Sequence, residues 1–368
     1  MTTHLGAGSG AGSGSAARAG ALTRDQLRRL PKAELHCHLD GSVRAATLLE
    51  LGRELGVAMP AATAETLAHH MWVKDARHLE DYLTRFDVTL AVMQSAASLE
   101  RVTYELLQDA HDEGVRYIEI RYAPVLNTRG GLTLDEAVEA PKRAMDLAAA
   151  EFGIKSGLII CALRHLDPIV SKELAKLAVA HAGRGVVGFD LAGGEAGHPA
   201  TNHADAFFYA REHGLLCTCH AGEGAGADSI REAVHVCGAQ RIGHGTRLAE
   251  DLRLMDEVGE RGITIEACLT SNVQTRAAAD YASHPVRTFL EHGLKVTLNT
   301  DNRLMSRTTL TDEYAHAVTA LELDTDAVCA IARTGFEGAF LTDDERHALL
   351  AAADAEHAAF RRDEAPAK

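Results

Sequence analysis

The sequence predicts an α/β protein folded as a (β/α)8 barrel of the TIM type, with extra helices inserted after the first strand and added at the C-terminus. Three observations predict it. Eight short, β-rich apolar runs recur along the chain, helical patterns separate most of them, and together they span close to the ~250 residues typical of this barrel. Strands buried on both faces read as continuous apolar runs, as expected of a parallel sheet covered by helices. A doubly wound open sheet gives no reason for eight similar units.

The first candidate strand is AELHCHL (33–39). The gap from 44 to 114 is too long for one crossover and is expected to hold extra helices, including LEDYLTRFDVTLAVM (79–93). VRYIEIRYAP (115–124) is the second strand, followed by the helical pattern LDEAVEAPKRAMDLAAAEFG (134–153). SGLIICAL (156–163), VVGFDLAG (186–193) and LLCTCHAGE (215–223) are the third to fifth strands. The helical run SIREAVHVCG (229–238) leads to RIGHGT (241–246), and AEDLRLMDEVGERG (249–262) leads to ITIEACLTSN (263–272). KVTLNTDN (295–302) is the eighth strand. Several helices close on Gly, which a helix C-terminus favours. Beyond 302, YAHAVTALELDTDAVCAIARTGFEGAFLT is expected to complete and cap the barrel. The Gly/Ser/Ala-rich residues 1–21 are expected to form a disordered tail, and 361–368 a loose C-terminus. The folded body is then one domain, 22–360.

Composition narrows the partners. The chain has 37 Lys+Arg against 52 Asp+Glu, a formal net charge of −15, so nucleic acid and anionic membranes would repel it. No apolar run approaches the ~18–20 residues that span a bilayer, and the N-terminal residues lack a signal peptide's apolar stretch. The expected partner is therefore a small molecule, with no nucleic acid and no membrane; the sequence does not set the oligomeric state. The seven cysteines are odd in number, form no CxxC pair and sit partly inside apolar runs. They read as small buried hydrophobes in a reducing cytoplasm, not as a disulfide framework. The unusual count is 20 histidines, which matters because imidazole is the commonest metal ligand and general base.

Polar residues gather at the C-terminal ends of the predicted strands. The first ends in His36-Cys37-His38-Leu39-Asp40, and residues two apart on a strand share a face, so His36 and His38 project together. The fifth ends in His220-Ala-Gly-Glu223, the sixth in Gly-His244-Gly, the eighth in Asn299-Thr-Asp301-Asn302. A barrel gathers these positions around one opening, where active sites of the fold are built. Three neutral imidazoles and one carboxylate make a Zn²⁺ site with an open position for water. Each residue also has a plainer explanation: HxH alone is weak, His244 can be a turn histidine, Asp301 a helix N-cap, and Glu223 a solvated loop acid. Their convergence at strand ends of one architecture outweighs these. His69, His70, His111, His181, His213, His292 and His316 fall in helical or loop contexts and are expected to be structural.

The motifs PKAELHCHLDGS (31–42), RYAP (121–124), DLAGGE (190–195), HAGE (220–223), GHG (243–245), TSNVQT (270–275) and NTDN (299–302) closely resemble the adenosine deaminase family, among the amidohydrolase-type barrels. They occur in the family's order, and the resemblance runs from about 28 to 345. It implies one Zn²⁺ per chain held by His36, His38, His220 and Asp301. The fourth strand ends in Asp190-Leu-Ala-Gly193, with no lysine to bridge a second metal. The implied reaction is zinc-dependent hydrolysis of adenosine, and of 2′-deoxyadenosine, to inosine and ammonia in purine salvage. Zinc-activated water attacks C6, Glu223 protonates ring N1, and His244 and Asp301 orient the water and take up its proton. His38 faces the substrate, the Gly193 N–H meets N3, and Asp40 accepts from the 5′-hydroxyl. Tyr82, Leu83 and Phe86 match the family's apolar lid, which excludes water. Asn302 stands where the animal enzymes carry a second Asp; its amide can still donate to N7. Arg303 replaces a usual Pro and is expected to reshape the pocket wall.

The nearest rival keeps the chemistry and changes the substrate to another 6-aminopurine nucleoside, such as aminodeoxyfutalosine. Asp40 disfavours AMP by like-charge repulsion, and free adenine leaves Asp40 without its partner. A zinc hydrolase of a cyclic amide or ester is more distant, since Glu223 suits ring protonation. Cytidine-deaminase chemistry needs HxE with PCxxC; His78-Leu79-Glu80 supplies only the first half. A non-catalytic metal-binding barrel predicts loss of Glu223 or His244, and both are present.

Overall fold

The computed structural model describes residues 22–74 and 76–363, apart from the side chain of Glu80. The expected tail, 1–21, and residues 364–368 lie outside it. Eight parallel strands follow one another in chain order around a sheet. They are β1 (Lys32–His38), β2 (Val115–Tyr122), β3 (Lys155–Leu163), β4 (Val186–Ala192), β5 (Leu216–Ala221), β6 (Arg241–His244), β7 (Thr264–Ala267) and β8 (Lys295–Leu298). The fold is the expected barrel. Its seam closes beyond β8: His38 N donates to Asp301 O at 2.7 Å, and Asp301 N donates to His36 O at 3.0 Å. Closure and site assembly therefore share the same residues.

Alternation along β2 shows how the layers form. Ile118 and Ile120 join the apolar layer between sheet and helices. Tyr117, Glu119 and Arg121 belong to the other face, and the last two reach charged residues across the barrel. Arg121 donates to Asp190 at 3.1 Å and to Glu266 at 2.9 Å; Arg241 donates to Glu266 at 2.5 Å and also pairs with Glu119. Every member of this interior network is buried, so each charge depends on its partners; removing one leaves another uncompensated at a cost of about 3–5 kcal/mol. The lower end is closed by Phe340, whose N–H donates to Glu119 at 2.6 Å and whose ring lies 3.5 Å under the Arg241 guanidinium.

The long insertion after β1 holds helices at Ala45–Leu55, Ala64–Met71, Leu79–Leu83, Phe86–Leu90 and Ala96–Asp112. The expected single helix over 79–93 is thus two short ones. The seventh and eighth strands also stop earlier than expected, at Ala267 and Leu298. After β7 the chain turns into helix Leu269–Gln274, whose Thr270 N–H is captured by Glu313 at 3.1 Å. The C-terminal region forms helices Leu310–Thr319, Thr325–Glu337 and Asp343–Asp363. The last packs Leu349 and Ala353 against Ala33, Leu35 and Tyr117 and runs three residues beyond the expected domain end at 360. Its His357 donates from Nε2 to Pro31 O at 2.7 Å, which ties the helix to the start of β1. All seven cysteines are buried and free. Among the described residues no helix is long and apolar enough to cross a membrane.

Candidate active site

A cavity of about 320 Å³ opens at the C-terminal ends of the strands. Of the expected site residues, His38, Asp40, Tyr82, Leu83, Phe86, Gly193, His220, Glu223, His244, Asp301 and Asn302 line it. His36 is fully buried and is not among the lining residues. Arg129 and His165 also line the cavity, and nothing in the sequence singled them out.

The imidazoles are sorted by what stands behind them. His36 Nδ1 lies 2.9 Å from Glu266 Oε2, and His220 Nδ1 lies 3.0 Å from Asp190 Oδ2. An ionised carboxylate only accepts, so each Nδ1 carries the proton and each Nε2 is left bare for a metal. The buried His36 Nε2 has no hydrogen-bond partner among the described residues and lies 3.4 Å from Asp301 Oδ1. His38 Nε2 lies 3.4 Å from the same oxygen and 3.1 Å from His220 Nε2. Ser271 Oγ donates to Asp301 Oδ2 at 2.6 Å, which leaves Oδ1 to face the rings. Burial pushes His38 and His220 below the usual imidazole range. Burial opposes ionisation of Asp301, but the imidazoles packed around it hold it well below the usual carboxylate range. Neutral imidazoles at His38 and His220 beside an ionised carboxylate are donors a divalent metal takes.

His244 joins the same group. One ligand atom each from His36, His220, His244 and Asp301 lie within 4.8 Å of one another, so the geometry offers His244 as a ligand beside the expected His38. Both His244 (φ 64°) and Asp301 (φ 59°) adopt left-handed backbone conformations. Such strain in non-glycine residues is held in place by the surrounding structure and gathers at functional sites.

Glu223 follows β5 on a loop that Glu195 organises. The Glu195 carboxylate accepts backbone N–H groups from Gly222 at 2.7 Å, Glu223 at 2.9 Å, Gly224 at 2.6 Å and Ala225 at 3.1 Å. Gly222 has φ +75°, and a Cβ there would meet Ile230 Cδ1 at 2.5 Å, so the turn requires glycine. The buried Glu223 carboxylate places Oε2 3.4 Å from His244 Nε2. Glu195 lies inside the DLAGGE motif, yet the sequence offered no role for it.

On the cavity's other walls, burial pushes the Asp40 carboxyl up to about 7, and its Oδ1 has no hydrogen-bond partner among the described residues. Asn302 packs so closely on Gly41 that a Cβ there would lie 1.7 Å from Asn302 Oδ1. Tyr82 is buried and bonds through Oη to Ser306 Oγ at 2.7 Å. Arg303 corrects an expectation: it does not line the cavity. Its guanidinium donates to Glu34 at 2.6 Å and Glu113 at 2.5 Å. Two buried carboxylates draw the cation away from the pocket wall.

The family model described as adenosine deaminase matches residues 31–356. The chain is 40% identical over 346 residues to adenosine deaminase 1 of Streptomyces coelicolor, covering 89% of this chain and 86% of that one. It is 40% identical over 321 residues to a probable adenosine deaminase of Dictyostelium discoideum, covering 87% of this chain and 42% of that longer protein. Among solved structures, an amidohydrolase from Burkholderia ambifaria with bound Zn superposes with a TM-score of 0.85 at 27% identity, covering 96% and 98% of the two chains. With a matching family model over most of its length and close relatives of that name, the chain belongs to the adenosine deaminase family.

Proposed function

We propose that this protein hydrolyses adenosine, and with it 2′-deoxyadenosine, to inosine and ammonia, with one zinc ion per chain, as a cytoplasmic purine-salvage enzyme. The observation that carries this reading is a cavity lined at once by His38, His220, His244 and Asp301 together with Glu223 and Asp40. The donor set fits a metal: the buried His36 Nε2 has no hydrogen-bond partner among the described residues, and the Nδ1 protons of His36 and His220 are held by Glu266 and Asp190. His36, His38, His220 and Asp301 would hold the ion, which supplies Lewis acidity and makes water a nucleophile near neutral pH.

The chain's own groups then divide the work. Glu223, protonated when substrate binds, gives its proton to ring N1, which lets C6 accept the attacking water. His244 and Asp301 orient that water and take up its proton between them, with His244 also offsetting charge on the C6 oxygen. Protonation of the amino group lets ammonia leave, so that adenosine and water become inosine and ammonia. The Gly193 N–H donates to N3, and the Asn302 amide donates to N7. Asp40 accepts from the ribose 5′-hydroxyl, and in its ionised form it repels a 5′-phosphate. Tyr82, Leu83 and Phe86 cover the purine and exclude water, which strengthens each polar contact inside. The seven buried thiols support a reducing compartment.

The test is the ultraviolet change that accompanies conversion of adenosine to inosine, followed with zinc-loaded protein. Turnover is expected with adenosine and 2′-deoxyadenosine at a higher kcat/KM than with adenine, AMP or aminodeoxyfutalosine. Protein that binds zinc at one per chain and leaves all of these untouched is not a deaminase of this class. A preference for AMP or aminodeoxyfutalosine would replace adenosine as the substrate.

A further inference from the structure

Helix Leu269–Gln274 carries Asn272 between two buried histidines. Asn272 Nδ2 lies 3.0 Å from His244 Nδ1, and Asn272 Oδ1 lies 3.1 Å from His284 Nε2. Behind His284, the backbone N of Val286 is 3.4 Å from His284 Nδ1. This line of contacts has one consistent direction. A backbone amide only donates, so His284 Nδ1 accepts and the ring proton sits on Nε2. That proton is donated to the amide oxygen of Asn272, which turns the NH₂ toward His244. The NH₂ donates to His244 Nδ1, which must be bare. A neutral imidazole carries one proton, so in His244 it is on Nε2.

We infer that His284 and Asn272 are positioning residues that fix His244 as its Nε2–H tautomer. The inference rests on the proposed reaction only in taking His244 as an active-site group. Neighbouring rings are thereby sorted by opposite nitrogens. His36 and His220 donate from Nδ1 to carboxylates and present bare Nε2 atoms. His244 receives a donor at Nδ1 and presents an N–H instead. An Nε2–H cannot ligate a metal, so the third imidazole ligand is His38 rather than His244. The roles shared by His244 and Asp301 are narrowed as well. His244 has no bare nitrogen with which to accept the water's proton, so that task falls to Asp301. His244 donates to the oxygen on which charge builds, where a preorganised donor is worth most.

Long-range proton–nitrogen correlation spectra of ¹⁵N-labelled, zinc-loaded protein without substrate report each histidine tautomer directly. His244 is expected to show Nε2–H and bare Nδ1. A His244 Nδ1–H in the wild-type protein overturns the inference, even if no variant folds. Asn272→Asp offers only acceptors and is expected to move the His244 proton to Nδ1. It should keep zinc near one per chain, lose about 10²–10³ in kcat, as removal of one oxyanion donor does, and change KM far less. His284→Gln keeps a donor toward Asn272 and should retain the wild-type tautomer, whereas His284→Phe should not. An unchanged tautomer in Asn272→Asp also overturns the inference. Because the tautomer is read without substrate, failure to deaminate adenosine is a separate result.

Discussion

The Glu195 carboxylate accepts the backbone N–H of Glu223 at 2.9 Å while holding three further N–H groups of the same loop. Four donors converging on one anion make a strong, charge-assisted clamp. Its effect is to fix where the Glu223 side chain begins. Removing it should leave these four N–H groups, two of them buried, to find other partners and let the loop drift. Glu195→Ala is expected to lower kcat by about 10², the scale of a 1 Å misplacement, with zinc content retained because His220 is anchored separately by Asp190. Steady-state kinetics beside metal analysis check this, and equal losses of zinc and activity would show that the clamp supports the fold instead.

Glu223 itself sits buried beside His244, with its Oε2 3.4 Å from His244 Nε2. Glu223→Gln preserves its shape and removes its proton-transfer capacity. The variant should bind zinc normally and lose about 10²–10⁴ in kcat, the usual contribution of a general acid. Wild-type turnover in Glu223→Gln would take the proton-donor role away from it.

The carboxylates behind the metal ligands make a different prediction. Asp190 serves both His220 and Arg121. In Asp190→Asn the amide oxygen can still accept from His220, but without the charge that makes the imidazole a better donor. Zinc affinity is expected to fall about 10–100-fold, measured by competition with a chromogenic chelator. Affinity unchanged from wild type would mean that Asp190 acts only in the interior ion network.

The barrel and the strand-end residues were legible in the sequence because parallel strands announce themselves as apolar runs, and their polar ends interrupt those runs. Groups acting from behind were not. Asn272 and Ser271 sit in a stretch that looked like a continuation of β7, yet the chain turns into a helix there. His284 lies in the segment between that helix and β8 and carries no spacing signal. Arg303 follows Asn302 directly, so sequence proximity suggested the pocket wall. The left-handed turn at Asp301 redirects the chain, and two buried acids, Glu34 from β1 and Glu113 from the end of a helix, receive the guanidinium. Partners separated by 269 and 190 positions leave no local pattern. The terminal helix Asp343–Asp363 leaves little signal in the sequence because its Ala-rich run carries few large apolar residues to mark a face.

His284 also gives the protein a pH dependence that can be isolated. Burial pushes its pKa down to about 3, against an ordinary value of ~6.5 in an unfolded chain. Between those values the unfolded chain binds a proton that the folded protein does not, so stability rises with pH across this window. The contribution is fully present above ~6.5 and is lost progressively as pH falls toward about 3. Other groups titrate too, including the metal ligands, but they are common to the wild type and a His284→Gln variant. The stability difference between the two proteins should therefore favour the wild type more at neutrality than near pH 5. Urea unfolding of both at the two pH values measures it. A difference that stays constant would mean that His284 takes up its proton equally in the folded and unfolded chain, so that burial does not hold the ring neutral.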